Sequence, residues 1–168
     1  MSQAKTVIRG EVRASDPVDV RAVTQATGFF RPDEIDVAVE LVCERLDKGA
    51  ASGYEFLFAE QDGAVTGYVC FGPIACTTHS WDLYWIAVHP STQGQGVGSR
   101  LIQETERAIQ SRGGQRIYIE TSSRADYDPT RGFYLARGYH HEATLEDFYA
   151  PGDGKVIYVK RLAPGRPE

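Results

Sequence analysis

Residues 89–100 read HPSTQGQGVGSR, with Gly94, Gly96 and Gly98 at alternate positions. Glycines leave backbone N–H groups uncovered, and a helix opening at this point adds the positive end of its dipole. A nest of that kind can hold a pyrophosphate through main-chain donors, with no lysine. The run lacks the Gly-Lys-Ser/Thr ending of a P-loop, and its G-x-G-x-G spacing differs from the G-x-G-x-x-G of dinucleotide folds. The same residues can also be read as a tight strand-to-helix turn whose glycines only relieve backbone strain. Glu120 is a second candidate. A carboxylate at a strand end can act as a base, as an anchor for a substrate ammonium, or as a solvated rim charge. The remaining reactive side chains offer less. His140 and His141 are adjacent on a predicted strand and point to opposite faces, which disfavours a metal pair. His79 and His89 sit in loops without an evident partner. Cys43, Cys70 and Cys76 lack paired CxxC spacing, so neither a zinc site nor a disulfide framework is expected.

The elements that must position these groups follow from periodicity and turn signals. Residues 6–13 read as a first strand. Ser15-Asp16-Pro17 reads as a helix start, with Val20, Val23 and Thr27 on one face and Gly28 at its end. A second helix begins at 31–34 and carries the stripe Ile35, Val39, Val42 and Leu46 before Gly49. The turn pair Asp62-Gly63 joins strands at 54–60 and 64–71 into a hairpin. A strand at 83–88 leads into the glycine loop, followed by a helix with Leu101, Ile102, Ala108 and Ile109 that stops at Gly113-Gly114. Then come a strand at 116–121 and a short helix over 128–139, with Asp128 as its cap. Strands near 142–148 and 155–161 flank the turn at 151–154. The order β-α-α-β-β-β-α-β-α-β-β predicts an α/β fold (an α+β mixed sheet) with about seven strands and helices on both faces. The unit at 83–121 should be a parallel crossover, which puts the glycine loop at the carboxyl end of a strand, where open sheets place ligands.

Length and charge narrow the function classes. The 168 residues suit a single domain, 1–168, able to bury a core. No apolar run approaches a membrane span, and the opening MSQAKTVIRG has no signal-peptide h-region, so a cytoplasmic location and no membrane partner are expected. The net charge of −5 comes without a Lys/Arg cluster, which argues against nucleic acid and tolerates a cationic substrate such as an amine.

The stretch WIAVHPSTQGQGVGSRLI resembles the acetyl-coenzyme A signature of the GNAT superfamily of N-acetyltransferases. Ile86-Ala87-Val88, Pro90 and Gln93-x-x-Gly96-x-Gly98 match its strand, its proline and its Q/R-x-x-G-x-G/A helix start. Downstream, Phe133-Tyr134 and Gly138-Tyr139 match the family's (L/F)-Y-x-x-x-G-(F/Y) helix. The resemblance covers almost the whole chain and is most specific over 82–139. It implies acetyl-CoA as cosubstrate and no metal. Gln93, Gly94, Gln95, Gly96, Val97, Gly98 and Ser99 would cradle the pyrophosphate, and Ile86, Ala87 and Val88 would pair with the pantetheine arm like an added strand. The family's sheet splays at this point, freeing that backbone.

By the same resemblance Tyr134 is the proton donor to the coenzyme A sulfur, and the Val88 amide is the oxyanion donor. Asp82 stands where histone-type members carry a basic glutamate. It is one methylene shorter, so its reach would need a water. Glu120 is its rival as base and a candidate for binding the amine. Tyr84 stands where many members carry an acid, and Tyr127 where many carry an asparagine. Ser122, Arg124 and Arg131 could touch coenzyme A phosphates or substrate, or be solvated. Phe29, Phe30 and Tyr84 are expected at the substrate mouth. The resulting expectation is an acetyl-CoA-dependent N-acetyltransferase acting on the primary amine of a small molecule by direct attack in a ternary complex. Peptide or protein N-terminal or lysine acetylation, and a non-catalytic acyl-CoA-binding module, are the alternatives. A homodimer is left open, since dimers are common in the family.

Overall fold

The computed structural model describes residues 5–164. Met1–Ala4, within the N-terminal stretch read above, and the last four residues lie outside it. The element order is β1 (Val7–Arg9), α1 (Asp16–Ala26), α2 (Pro32–Lys48), β2 (Glu55–Gln61), β3 (Ala64–Pro73), β4 (Ser80–Val88), α3 (Val97–Ser111), β5 (Arg116–Ser122), α4 (Asp128–Leu135), β6 (His140–Ala150) and β7 (Asp153–Arg161). The strands form one mixed sheet in the order β1-β2-β3-β4-β5-β7-β6. β4 and β5 run parallel, as the crossover through α3 requires, while β1–β2, β2–β3, β5–β7 and β6–β7 are antiparallel. No helix among the described residues is long and apolar enough to cross a membrane.

Contacts group the chain into two compact units. One runs through Gly72 and resumes at Tyr84–Ala108; the other comprises Pro73–Leu83 and the chain from Ile109 onward. In the first unit, Val20 and Val23 of α1 and Ala38 and Val42 of α2 pack with Phe56, Phe58, Tyr68, Cys70 and Ala87. Burying each of the larger apolar groups contributes roughly 1.5–3 kcal/mol. The opposite face of β3 meets α3: a Cβ added to Gly67 would lie 3.3 Å from both Leu101 Cδ1 and Val97 Cγ1. β3 thus has helices on both of its faces.

Several boundaries differ from expectation for identifiable reasons. β1 spans only three residues and ends at Arg9, which pairs with Phe58 while its side chain serves an internal ion cluster. Its guanidinium reaches Asp16 at 2.9 and 2.8 Å and Glu60 at 2.7 Å, and lies 4.4 Å from the Phe58 ring centroid. Asp16 also accepts from the Arg13 amide at 2.6 Å, so Asp16 rather than Ser15 organises the start of α1. Thr24, not Thr27, faces the core, donating to Val20 O and meeting the Tyr68 hydroxyl at 2.7 Å. In α2 the buried stripe is Ile35, Ala38 and Val42. Val39 is half-buried and Leu46 is exposed, because spacings of three and four turn the stripe one residue from the expected one. The Asp62-Gly63 turn has φ of 50° and 81°, the primed geometry expected of an Asp-Gly hairpin.

In the second unit the first residues of β4 pair with β5, and β5 pairs with β7, which in turn pairs with β6. Ile117, Ile119, Val156 and Tyr158 are buried, whereas Tyr118, Glu120 and Lys155 alternate with them on the other face. β4 starts at Ser80, three residues earlier than expected, so Asp82 lies within a paired strand. α4 begins at Asp128 itself, whose carboxylate pairs with Arg131 instead of capping the backbone. β6 begins at His140 and is interrupted between Leu145 and Ala150, where Asp147 takes a φ of 53°.

Candidate active site

The glycine loop belongs wholly to the first unit. β4 ends at Val88, and His89 carries the chain into a short 3-10 turn at Pro90–Thr92. The His89 imidazole Nδ1 caps that turn, 3.2 Å from the Ser91 amide and 2.7 Å from the Ser91 hydroxyl. Neither contact was readable from sequence. The Gln93 side chain donates to Val88 O at 3.2 Å, folding the loop back on the strand it leaves. Gly94 and Gly96 have φ of 77° and 80°, a region that costs other L-residues about 1–2 kcal/mol. Gly98 is different: it sits in the first turn of α3. The ladder of α3 starts with Arg100 donating to Gly96 O at 3.0 Å, so the amides of Val97 and Gly98 are first-turn donors.

A diphosphate fits what is present. Gln93, Gly94, Gln95 and Gly96 are all exposed, and a Cβ built on Gly94 or Gly96 would meet nothing within 4 Å. Uncovered main chain at a helix start is therefore open to an anion. Among the described residues the β4–β5 ladder runs from Ser80–Arg116 to Leu83–Ile119 and stops there. Beyond it β4 continues to Val88, with Ile86 and Val88 half-buried and Ala87 buried. Next to them, Phe30 lies tilted against Trp85 with centroids 5.0 Å apart and meets Phe29 edge-on at 5.3 Å. Tyr84 meets Tyr54 at 5.5 Å and is 39% exposed. The three aromatics expected at a substrate mouth thus all lie in the first unit, each at least partly accessible.

The titratable groups lie in the second unit. Asp82 sits opposite Tyr118 in the β4–β5 register, and Glu120 is two residues further along β5, on the same face. Burial, then the nearby charge of Glu120, pushes the Asp82 carboxyl up to about 6, while Lys155 pulls the other way. Glu120 accepts an ion pair from Lys155 at 2.8 Å. Lys155 was not singled out from sequence. Its signal is cross-strand register, since it lies two residues from Ile157, the β7 partner of Glu120. Tyr134 is buried between the rings of Phe133 and Tyr139, at 5.4 and 5.8 Å. Burial raises its hydroxyl pKa further, so it stays protonated and able to donate.

The segment before α4 is tied down internally. Arg131 donates to the carbonyls of Ser122 and Arg124 and pairs with Asp128. Arg124 pairs with Asp126 at 3.1 Å, and the Ser122 hydroxyl bonds Asp153. These side chains hold one another in the structure. His140 and His141 do point to opposite faces, one opposite Val159 and the other opposite Tyr158, and His79 Nδ1 lies 3.1 Å from Gly113 O. No group of three or more His, Cys, Asp or Glu among the described residues is arranged to hold a metal.

Residues 23–139 match the model of the Acetyltransferase (GNAT) family. Among solved structures, a Desulfovibrio desulfuricans protein assigned to the GNAT acetyltransferases is 45% identical, with a TM-score of 0.93 over 95% of this chain and 100% of that one. An aminoglycoside 6'-N-acetyltransferase complexed with coenzyme A shares the fold at 20% identity, with a TM-score of 0.77 over 96% of this chain and 99% of its own. The Escherichia coli ribosomal-protein-S18-alanine N-acetyltransferase shares it at 16% identity, with a TM-score of 0.73 over 98% and 99%.

Proposed function

Because this chain belongs to the GNAT family of acetyltransferases, we propose that it moves an acetyl group from acetyl-CoA to the primary amine of a small molecule, by direct attack in a ternary complex. The observation that carries the reading is a succession along one stretch of chain: a β4–β5 ladder that ends at Leu83–Ile119, then the rest of β4 through Ile86 and Val88, then the open glycine loop. In this reading the loop from Gln93 to Ser99 takes the pyrophosphate, chiefly through its other amides, since those of Gln93 and Gln95 donate to Pro90 O and Thr92 O, and the main chain of Ile86, Ala87 and Val88 takes the pantetheine arm. Acetyl-CoA supplies an activated acyl carbon with a thiolate leaving group.

The chain's own residues then manage two protons. An alkylammonium holds its proton to a pH of about 10, so the acceptor must lose it before its nitrogen can bond the acyl carbon. Asp82 takes that proton through a water. It has no ion-pair or hydrogen-bond partner among the described residues, and its raised affinity for a proton suits a base that must later release it. As the carbon–sulfur bond breaks, Tyr134 donates its hydroxyl proton to the departing sulfur. The Val88 amide donates to the carbonyl oxygen, where charge develops.

A small acceptor is favoured by the acidic chain and by the aromatic group of Phe29, Phe30 and Tyr84, which suits a compact amine with an apolar body. An aminoglycoside-modifying enzyme shares the fold, as does one named for a ribosomal protein's alanine. The decisive experiment therefore offers both acceptor classes. Purified protein is incubated with acetyl-CoA and panels of small amines and peptides while released thiol is titrated. Thiol release with small amines is expected. Release with peptides alone would move the assignment to protein acetylation. Acetyl-CoA binding with no release for any acceptor would leave only an acyl-CoA-binding module.

A further inference from the structure

Asp82, Glu120 and Lys155 come from three neighbouring strands and lie in a row on one face of the second unit. Asp82 is opposite Tyr118; Glu120 is two residues on; Lys155 is two residues from Glu120's partner Ile157, on the side away from Asp82. The lysine is 13% exposed, against 50% for Glu120, and its Nζ is 2.8 Å from Glu120 Oε2. The same Nζ lies 3.8 Å from the Phe148 ring centroid and 5.9 Å from that of Tyr149. The irregular stretch of β6 brings those two rings over the lysine, fixed by Gly152 donating to the Asp147 carboxylate at 2.7 Å.

A carboxylate plus an aromatic face is the set of groups that recognises an alkylammonium. Here the chain's own ammonium fills it. The lysine side of this pair is enclosed, unlike the partners of an ordinary surface pair, whose geometry is loose and whose contribution is near zero. Asp82, in contrast, has no cation at ion-pair distance among the described residues.

We infer that Lys155 is a positioning residue: it engages Glu120, keeps it out of proton exchange and amine binding, and so leaves Asp82 as the carboxylate that takes the acceptor's proton. This rests on the acetyl-transfer reading above. It also gives the acceptor a chemical class. Only one carboxylate of the row is unpaired, so the cluster serves a single ammonium, and a second amine on the acceptor finds no anchor in it.

The charges facing Asp82 are Glu120 on β5, which raises its proton affinity, and Lys155 on β7, which lowers it. Tyr149 on β6, whose hydroxyl burial and Glu120 push up to about 12, stays neutral, and Tyr118 on β5 lies directly opposite Asp82. The proposal is tested on the full chain by NMR titration of the Asp82 side-chain carboxyl and by the pH profile of thiol release with a monoamine. In the wild type both midpoints are expected near about 6. Lys155→Met should move them up by about half to one pH unit, and Glu120→Gln down by a similar amount. The double variant should return close to wild type, and Lys155→Arg should keep the wild-type midpoint. Glu120→Gln should retain at least about a third of kcat, whereas Asp82→Asn should lose about a hundredfold or more.

A Lys155→Met midpoint that does not move, or a kcat loss in Glu120→Gln as deep as in Asp82→Asn, overturns the inference. If Lys155→Met fails to fold, Glu120→Gln and Lys155→Arg carry the same test. Wild-type protein that releases no thiol with any amine would instead sink the acetyl-transfer reading, whatever the NMR midpoints.

Discussion

In the proposed reading, the glycine loop and the acidic row solve opposite problems with opposite materials. In the loop the useful groups are main-chain amides, laid bare by Gly94 and Gly96 at positive φ and aligned by the start of α3. No charged side chain takes part, and all the residues lie within one short run of sequence. The row of Asp82, Glu120 and Lys155 is made of side chains from β4, β5 and β7, tuned by burial and by one another. A diphosphate carries a fixed charge, so a rigid set of dipoles suffices to hold it. Proton transfer needs a group whose charge changes, and that requires an adjustable environment. The first kind of site can be built locally; the second has to be assembled from distant parts of the chain.

The sharpest way to break this contrast is Asp82→Asn, for which kcat/KM should fall by about a thousandfold at neutral pH, with loss of the acid limb near pH 6. The base must be ionised, so wild-type activity should decline as pH drops through that value. Tyr134→Phe comes next. It removes a donor and keeps the ring that packs between Phe133 and Tyr139, so kcat should drop about a hundredfold with the KM values little changed. Steady-state kinetics over pH 5–9 checks both.

Gly96→Leu probes the other side of the contrast. It strains a φ of 80° and covers the exposed amides, and should raise the KM for acetyl-CoA by about tenfold, equivalent to about 1.4 kcal/mol. Its kcat at saturation should stay within about a factor of two. An unchanged KM in that variant would erase the distinction between a binding loop and a reactive row.

The smallest effect is on stability. The folded protein holds the Asp82 proton more tightly than the unfolded chain, so this carboxyl favours folding below its unfolded pKa near 3.8 and opposes it as pH rises through about 6. Asp82→Asn should therefore raise the melting temperature at pH 8. Discounted for solvent screening of a half-exposed group, the gain is about 1 kcal/mol, or about 2–4 °C, and it should vanish near pH 4. Thermal melts at the two pH values measure it.

Much of the scaffold was legible because its signals are local. Asp62-Gly63 dictates a primed turn, Gly138 takes a φ of 85° in the turn that closes α4, three residues after the helix ends at Leu135, and the alternation in RIYIET survives as buried Ile117 and Ile119 beside accessible Tyr118 and Glu120. Errors fell where a long-range contact overrode the local pattern. Residues 10–13 carry a strand-like pattern, yet the chain leaves the sheet after Arg9 because Asp16 and Glu60 hold that guanidinium. Thr24 replaces Thr27 on the core face because Tyr68 supplies a hydroxyl partner. His89 could not be assigned from sequence, since its role is to cap a 3-10 turn whose existence depends on the loop's fold.

By itself the sequence determined that a strand runs into an exposed glycine turn and then a helix, because φ preferences, dipole and hydrogen-bond donors are properties of consecutive residues. It also presented two carboxylates, Asp82 and Glu120, as equal rivals. The tertiary structure separated them. Strand register set Lys155 beside Glu120 and left Asp82 half-buried with no cation at ion-pair distance among the described residues. Residues 35 positions apart meet only through pairing of β5 with β7, and the electrostatics of a carboxylate depend on what surrounds it in space, not along the chain.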